Sequence, residues 1–305
     1  MPTSSGSPPT ARTPSRCWCG EARSRTCSSP SPDGAWRSDA RRATRGGAAM
    51  SAPLALRVVE HEAQVFKRFW RGTLFGYVLN PLLYLAALGF GLGSLITENQ
   101  GEVAGLPYVE FVAPGLMAAA AMQAAAADSL WPVMAGMKWI RWYHGMVATP
   151  LRPRDVYTGS VAWTAMRAGL GATVFLVVAA LLGAIPSAWG VLAIPSAALT
   201  AAGFAAMLAA YAATQEVDLR FPLIMRLGIL PLFLVSGTFF PIDQLPGWLQ
   251  VCAWASPLWH GVELCRASTT GMLEAVDLAH LAFLVGFLWV GWLWGIRSFD
   301  ARLTA

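Results

Sequence analysis

The sequence predicts an all-α, polytopic membrane protein with six transmembrane helices and an N-terminal helix lying in the membrane interface. Three observations predict it. Only 13% of the residues are charged, about half of the roughly 25% usual in soluble chains. Mean hydropathy is positive, at +0.49. The apolar residues also gather into six stretches at 73–96, 109–133, 161–183, 188–213, 222–240 and 279–297, each bounded by Gly, Pro or charge. A helix needs about 20 such residues to cross hydrocarbon.

Before the first stretch the chain changes character twice. Residues 1–49 are rich in Ser, Pro, Arg and Gly, follow neither a helical nor a strand period, and lack the apolar core of a signal peptide. They read as a disordered leader, and Met50-Ser51-Ala52-Pro53 reads as an alternative start. Eight arginines against three acidic residues give the leader the whole net charge of +5, so the remainder is neutral. That distribution gives no argument for nucleic acid. Cys17, Cys19 and Cys27 lack the second ligand pair of a zinc site. Residues 50–72 alternate differently. Val58, Val59, Ala63, Phe66, Phe69 and Trp70 recur at helical spacing while Glu60, Glu62, Lys67, Arg68 and Arg71 take other positions, which fits a cytoplasmic interfacial helix. The ordinary basic flank of a first span is the other reading.

Orientation follows from Lys and Arg. Basic residues precede the first span (Arg57, Lys67, Arg68, Arg71), follow the second (Lys138, Arg141, Arg152, Arg154), follow the fourth (Arg220, Arg226) and end the chain (Arg297, Arg302). The intervening connections carry Glu98 and Glu102, then no charge at 185–187, then Arg266 against Asp243, Glu263, Glu274 and Asp277. Every basic cluster falls on one side, so both termini are expected in the cytoplasm. Pro231 should kink the fifth span.

Two connections carry unusual residues. In the cytoplasmic one, Trp139, Arg141, Trp142 and Tyr143 form a short aromatic and basic piece that Thr149-Pro150 stops, and Asp155 caps the next helix. Such a piece fits a groove on a soluble partner or anchors the chain at the surface; both readings stand. The connection after the fifth span turns back on Pro241, Pro246 and Pro257, and it places His260, Glu263 and Arg266 three residues apart near one helix face. That spacing favours a salt-bridged face over a metal site, for which ligands are too few. Cys252 and Cys265 fall in the same connection, as a disulfide or as two free thiols.

Within the spans, Asp128 and Arg167 are the clearest charges, and charges there are costly. Each lies about 7–9 Å from the cytoplasmic end of its helix at the usual rise. Antiparallel neighbours would bring them to one depth as an ion pair, either structural or part of an inward gate. Ala118–Ala121 and Ala124–Ala127 give the second span a small-residue surface suited to close helix approach.

Thr149-Pro150-Leu151, followed by Asp155, Gly159 and Arg167, resembles the first cytoplasmic loop of type 2 ATP-binding-cassette (ABC) exporter permeases. The run Ser236-Gly237-Thr238-Phe239-Phe240-Pro241, with Leu245-Pro246-Gly247-Trp248-Leu249 and Pro257-Leu258 ahead of Glu263 and Arg266, is similar to the signature of the same family, nearest the nodulation lipo-oligosaccharide and daunorubicin-type exporters. The likeness covers about 55–300. It implies a six-span domain over 73–305, acting as one of two permease copies or beside a sister permease, above two copies of a separate ABC ATPase in a bacterial inner membrane. It also implies a coupling loop at about 138–150 that meets the ATPase through Trp139, Arg141, Trp142, Tyr143, Thr149 and Pro150. External re-entrant helices at about 241–273 would form a gate with Phe239, Phe240, Pro241, Leu245, Pro246, Trp248, Glu263 and Arg266. ATP and Mg would sit on the partner, with no cofactor on this chain, and membrane lipids would surround it.

Other activities find less support. No Walker A motif is present, and the two lysines, Lys67 and Lys138, follow no Gly-rich loop. A serine intramembrane protease would want a Gly two residues before Ser236, where Leu234 stands, and His260 falls outside the spans. There is no His-Glu-x-x-His for a metalloprotease. A transferase would need clustered acids or histidines, and an ion-coupled carrier more ionisable groups at midplane.

Overall fold

The computed structural model describes residues 54–87, 91, 103 and 105–304. Among these it contains helices joined by short turns and no β-strand, with one isolated bridge between Val103 and Leu106. The expected leader over 1–49 and the outermost residues of the first span fall outside the described residues.

The first helix, α1, runs unbroken over Leu54–Leu85. The stretch expected as an interfacial helix, 50–72, is from Leu54 onwards continuous with the helix that follows it. The one helix-weak residue at that boundary is Gly72, and a single interior Gly costs only about 1 kcal/mol. Part of the apolar stripe that suggested a lipid surface is packed on protein instead. Val58 is buried against Gly159, where a Cβ would approach it to 2.6 Å.

Next come α2 (Tyr108–Met134), which continues as a π-helical turn over Ala135–Trp139, and α3 (Trp142–Val147). Helix α4 (Pro153–Leu181) starts eight residues ahead of the apolar stretch that announced it. Pro153 suits a first turn, and Asp155 Oδ2 accepts the Arg152 N–H at 3.2 Å. A 3-10 turn at Ala188–Leu192 leads into α5 (Ala193–Thr214). Then follow α6 (Gly247–Trp254), α7 (Pro257–Thr270) and α8 (Val276–Leu303). Between α5 and α6 lies a broken helix.

Four segments are long and apolar enough to cross a membrane: Tyr108–Trp139, Pro153–Leu181, Ala188–Thr214 and Val276–Leu303. Their 27–32 residues give about 40–48 Å of helix. The expected first and fifth spans do not meet that measure among the described residues. Helix α1 carries all its charges between Arg57 and Arg71. The fifth stretch is assembled from Asp218–Arg220, Phe221–Leu223, a π segment at Ile224–Ile229 and Leu230–Val235, and it stops at Ser236 instead of 240. Pro231 cannot donate to the helix ladder, and a π segment lies directly before it. Gly237, at φ +74°, then turns the chain.

Helix α5 is the hub, packing against α2, α4, α7 and α8. Ala201, Ala205 and Ala209 of α5 and Ala118, Ala121, Ala125 and Ala126 of α2 are buried, while Ala206 lies against Gly291 of α8. Small residues on both sides let the backbones close up, which in lipid replaces the missing hydrophobic drive between helices. The Tyr157 hydroxyl, on α4, shares its proton between the carbonyls of Ala206 on α5 (3.0 Å) and Gly291 on α8 (2.9 Å), pinning three helices together.

Candidate functional site

At the end of the bundle where Lys and Arg gather, the chain leaves the π turn through Ile140 and Arg141, whose N–H groups both donate to Ala135 O (2.9 and 3.2 Å). Arg141 has φ 63°, and among the described residues it is the only non-glycine with positive φ. A residue with a Cβ is strained there. The chain then reverses into α3, and Thr149 closes that helix by donating to Met146 O at 2.5 Å.

Within this loop the side chains divide. Tyr143 is 2% exposed. Its ring meets Phe299 of α8 at 5.8 Å, its hydroxyl lies 3.3 Å from Ser160 of α4, and Gly136 leaves space for it. Burial pushes its phenol up to about 12. A side chain so enclosed offers no surface to another protein, so the partner contact expected of Tyr143 is replaced by an anchoring position. Trp142 is half-buried, whereas Trp139, Arg141, Thr149 and Pro150 are exposed. Beside them stands Ile140, 70% exposed, which sequence reasoning passed over because one isoleucine breaks no pattern.

Three distant segments meet nearby. Glu216, in the turn after α5, pairs with Lys138 from the π turn and with Arg302 from α8. Hydrogen bonds from Arg302 first, and then Lys138, hold the Glu216 carboxyl down to about 2. From the sequence, Glu216 with Asp218 and Arg220 reads as a solvated cytoplasmic turn or an addition to the ATPase contact; the partners it pairs with are far along the chain.

Deeper in the bundle, Arg167 on α4 and Asp128 on α2 stand 3.3 Å apart, each about a quarter exposed. The Arg167 guanidinium also lies 5.7 Å from the Phe66 ring.

At the opposite end, the turn after the broken helix is tied by Ser236, which donates to Phe233 O (3.1 Å) and meets the Thr238 hydroxyl (2.8 Å). Phe239 packs edge-on to Phe233 at 4.9 Å, and Phe240 and Pro241 are half-buried. Gln250 donates to Leu245 O (2.9 Å), Pro246 precedes α6, and Trp248 projects outward, 70% exposed. Ser256 caps α7 by accepting the Leu258 N–H.

Arg266 on α7 joins these pieces. It donates to Glu263 at 2.6 Å and to Gly237 O at 2.8 Å, and its guanidinium lies 4.1 Å from the Phe111 ring at the start of α2. Gly115 of α2 lies against Thr238, where a Cβ would come to 3.0 Å. One arginine therefore binds α2, the 236–238 turn and α7. His260 instead turns to α8: its Nδ1 is 2.7 Å from that of His280, and its ring stacks on Phe283 at 3.9 Å. Burial first, and then His280, hold the His260 pKa down at about 4. A cavity of about 290 Å³ opens here, with Phe111, Glu263, Arg266, Glu274, Asp277 and His280 in its wall. Two of its charges, Glu263 and Arg266, pair with each other. Cys252 is exposed, Cys265 is buried, and both are free. Among the described residues no three His, Cys, Asp or Glu side chains gather as metal ligands.

A family model for the ABC-2 type transporter matches residues 59–269. Over 238 residues the chain is 32% identical to nodulation protein J of Rhizobium leguminosarum bv. viciae, an alignment covering 78% of this chain and 90% of the relative. The corresponding protein of the bv. trifolii strain is 34% identical over 206 residues, covering 68% and 77%. That of Rhizobium meliloti is 31% identical over 223 residues, covering 73% and 82%. The matched region takes in Trp139–Pro150 and Ser236–Arg266, and the chain accordingly belongs to the ABC-2 type transporter family, as a multi-pass membrane permease.

Proposed function

We propose that this permease is one membrane subunit of an ATP-driven exporter in a bacterial inner membrane, with both termini in the cytoplasm. It pairs with a second copy or a sister permease. Two cassette ATPase subunits below the pair hold the ATP and Mg, and this chain holds no cofactor. The exported molecule is lipidic or amphipathic, of the lipo-oligosaccharide or glycolipid class; likeness to the nodulation proteins J supports that choice.

The observation that carries the reading is the exposed tip Trp139-Ile140-Arg141, strained at Arg141 and held from behind by the buried Tyr143. An exposed Trp and Ile beside an Arg have the composition of a contact patch, and their anchor gives a push on the tip something to act against. Closure of the ATPases would press this tip. At the far end, the segment holding Phe239, Phe240, Pro241, Leu245, Pro246 and Trp248, with Glu263 and Arg266 behind it, would form the exit gate.

Affinity capture from the native membrane tests this. The wild-type chain should bring down a cassette ATPase, and I140E with W139A should lose at least tenfold of it while inserting normally. Failure of the wild-type chain to retain any ATPase would refute the reading.

A further inference from the structure

The turn at Glu216 is gripped more completely than an exposed turn needs to be. Lys138 Nζ bonds Glu216 Oε2 and also donates to the Glu216 carbonyl at 2.8 Å. Arg302 bonds Oε1 at 2.5 Å and also donates to the neighbouring Gln215 carbonyl at 3.3 Å. Single exposed ion pairs contribute little. Here two cations from separate elements hold the carboxylate and two adjacent carbonyls of one turn, so all three segment ends are fixed together.

Position gives the arrangement its meaning. Lys138 lies three residues before Arg141, the strained left-handed residue at which the loop reverses. Tyr143 fixes the loop beyond that joint, against α4 and α8. Lys138 fixes it before the joint, through Glu216, to the end of α8. The π turn at Ala135–Trp139 is otherwise tied to α8 through α3 and, by way of α2, through α5; Glu216 adds a polar tie at the turn itself.

We propose that Glu216 is a positioning residue for energy coupling: it clamps the entry of the 138–150 loop to the end of α8, so that a displacement of the loop moves α8 with it. This rests on the reading of the chain as an ATP-driven permease. Loss of the clamp leaves a loop that still meets its ATPase and still moves, but passes less of that movement on.

Hydrogen–deuterium exchange on the full chain, purified with its captured ATPase, reads both segments at once with and without ATP and vanadate. In the wild type, nucleotide should change uptake in peptides over 138–150 and over 292–303 together. In E216Q the change over 138–150 should persist while that over 292–303 falls at least threefold. E216D keeps the charge and should restore at least half of it. Should E216Q fail to assemble, K138M and R302M each remove one arm and are expected to show the same split more weakly. Transmission to 292–303 that is equal in wild type, E216Q and the single-arm variants overturns the clamp alone. Absence of any nucleotide response over 138–150 in the wild type overturns the permease–ATPase reading and the clamp with it.

Discussion

Replacing Gly295 by Ala should destabilise the bundle out of proportion to the one methyl added. A Cβ at Gly295 would overlap the Tyr157 phenol ring. The ring cannot simply step aside. Its hydroxyl is bonded to Ala206 O and Gly291 O, and its face packs on Phe299 at 4.9 Å. The methyl must therefore push α4 from α8 or break the hydroxyl's two contacts. Overpacking of this kind costs about 1–3 kcal/mol. Losing the hydroxyl's hydrogen bonds adds little, since such bonds between membrane helices average about 0.6 kcal/mol, and the two carbonyls stay bonded within their own helices. Sterics, not hydrogen bonding, should decide the outcome. Titration of the purified chain with SDS in mixed micelles, followed by helicity, measures it. G295A should lose about 1–3 kcal/mol. In Y157V, where the ring is gone, the same Gly295→Ala change should be nearly silent, giving a coupling of at least about 1 kcal/mol. A G295A chain within about 0.5 kcal/mol of wild type, or additive costs in the double variant, would refute the close contact on which the packing argument stands.

Two further predictions concern the opposite end. Arg266→Lys keeps the charge but offers one ammonium where the guanidinium reaches Glu263, Gly237 O and the Phe111 ring together. R266K should lose about 1.5–3 kcal/mol of local stability, read as faster amide exchange over 236–270 with exchange over 193–214 unchanged. The second is a pH dependence. The His260 pKa is lower in the folded chain, about 4 against an ordinary 6.5, so the neutral ring is the folded form. Its contribution is full above pH 6.5 and fades as pH falls towards 4. The α7–α8 contact should loosen over that window in a thermal melt, and H260Q should flatten the profile; an equal acid response in both would exclude the pair as its source.

What was legible in the sequence had short-range causes. The stretches around 109–133, 161–183, 188–213 and 279–297 reappear as membrane-length helices because about 20 apolar residues in a row need no partner to be recognised. Asp155 as a cap was readable for the same reason, its partner Arg152 lying three residues away. The misplaced boundaries have local causes too, but weaker ones. Pro231 alone did not reveal a π segment ahead of it, and the fifth stretch ends before 240. What the sequence could not disclose was which face of a short aromatic helix looks inward. Trp142 and Tyr143 are adjacent and chemically alike, yet the partner that buries Tyr143 is Phe299, far along the chain.

That distant partner changes how the basic end can work. The Phe299 ring touches Tyr143 on one side and Tyr157 on the other, at 5.8 and 4.9 Å. Tyr157 in turn reaches the backbones of α5 and α8. Helix α3 is thus attached by its side chains to α4 and α8, although its backbone emerges from α2 through the strained Arg141. A push on α3 is resisted by the α4–α8 side of the bundle through buried aromatic contacts, while on the α2 side it meets a one-residue joint and the Lys138–Glu216–Arg302 cluster. Tyr143 also lies against Gly136 of the π turn that continues α2, so α3 cannot part from α2, α4 or α8 unless that ring comes out of its pocket.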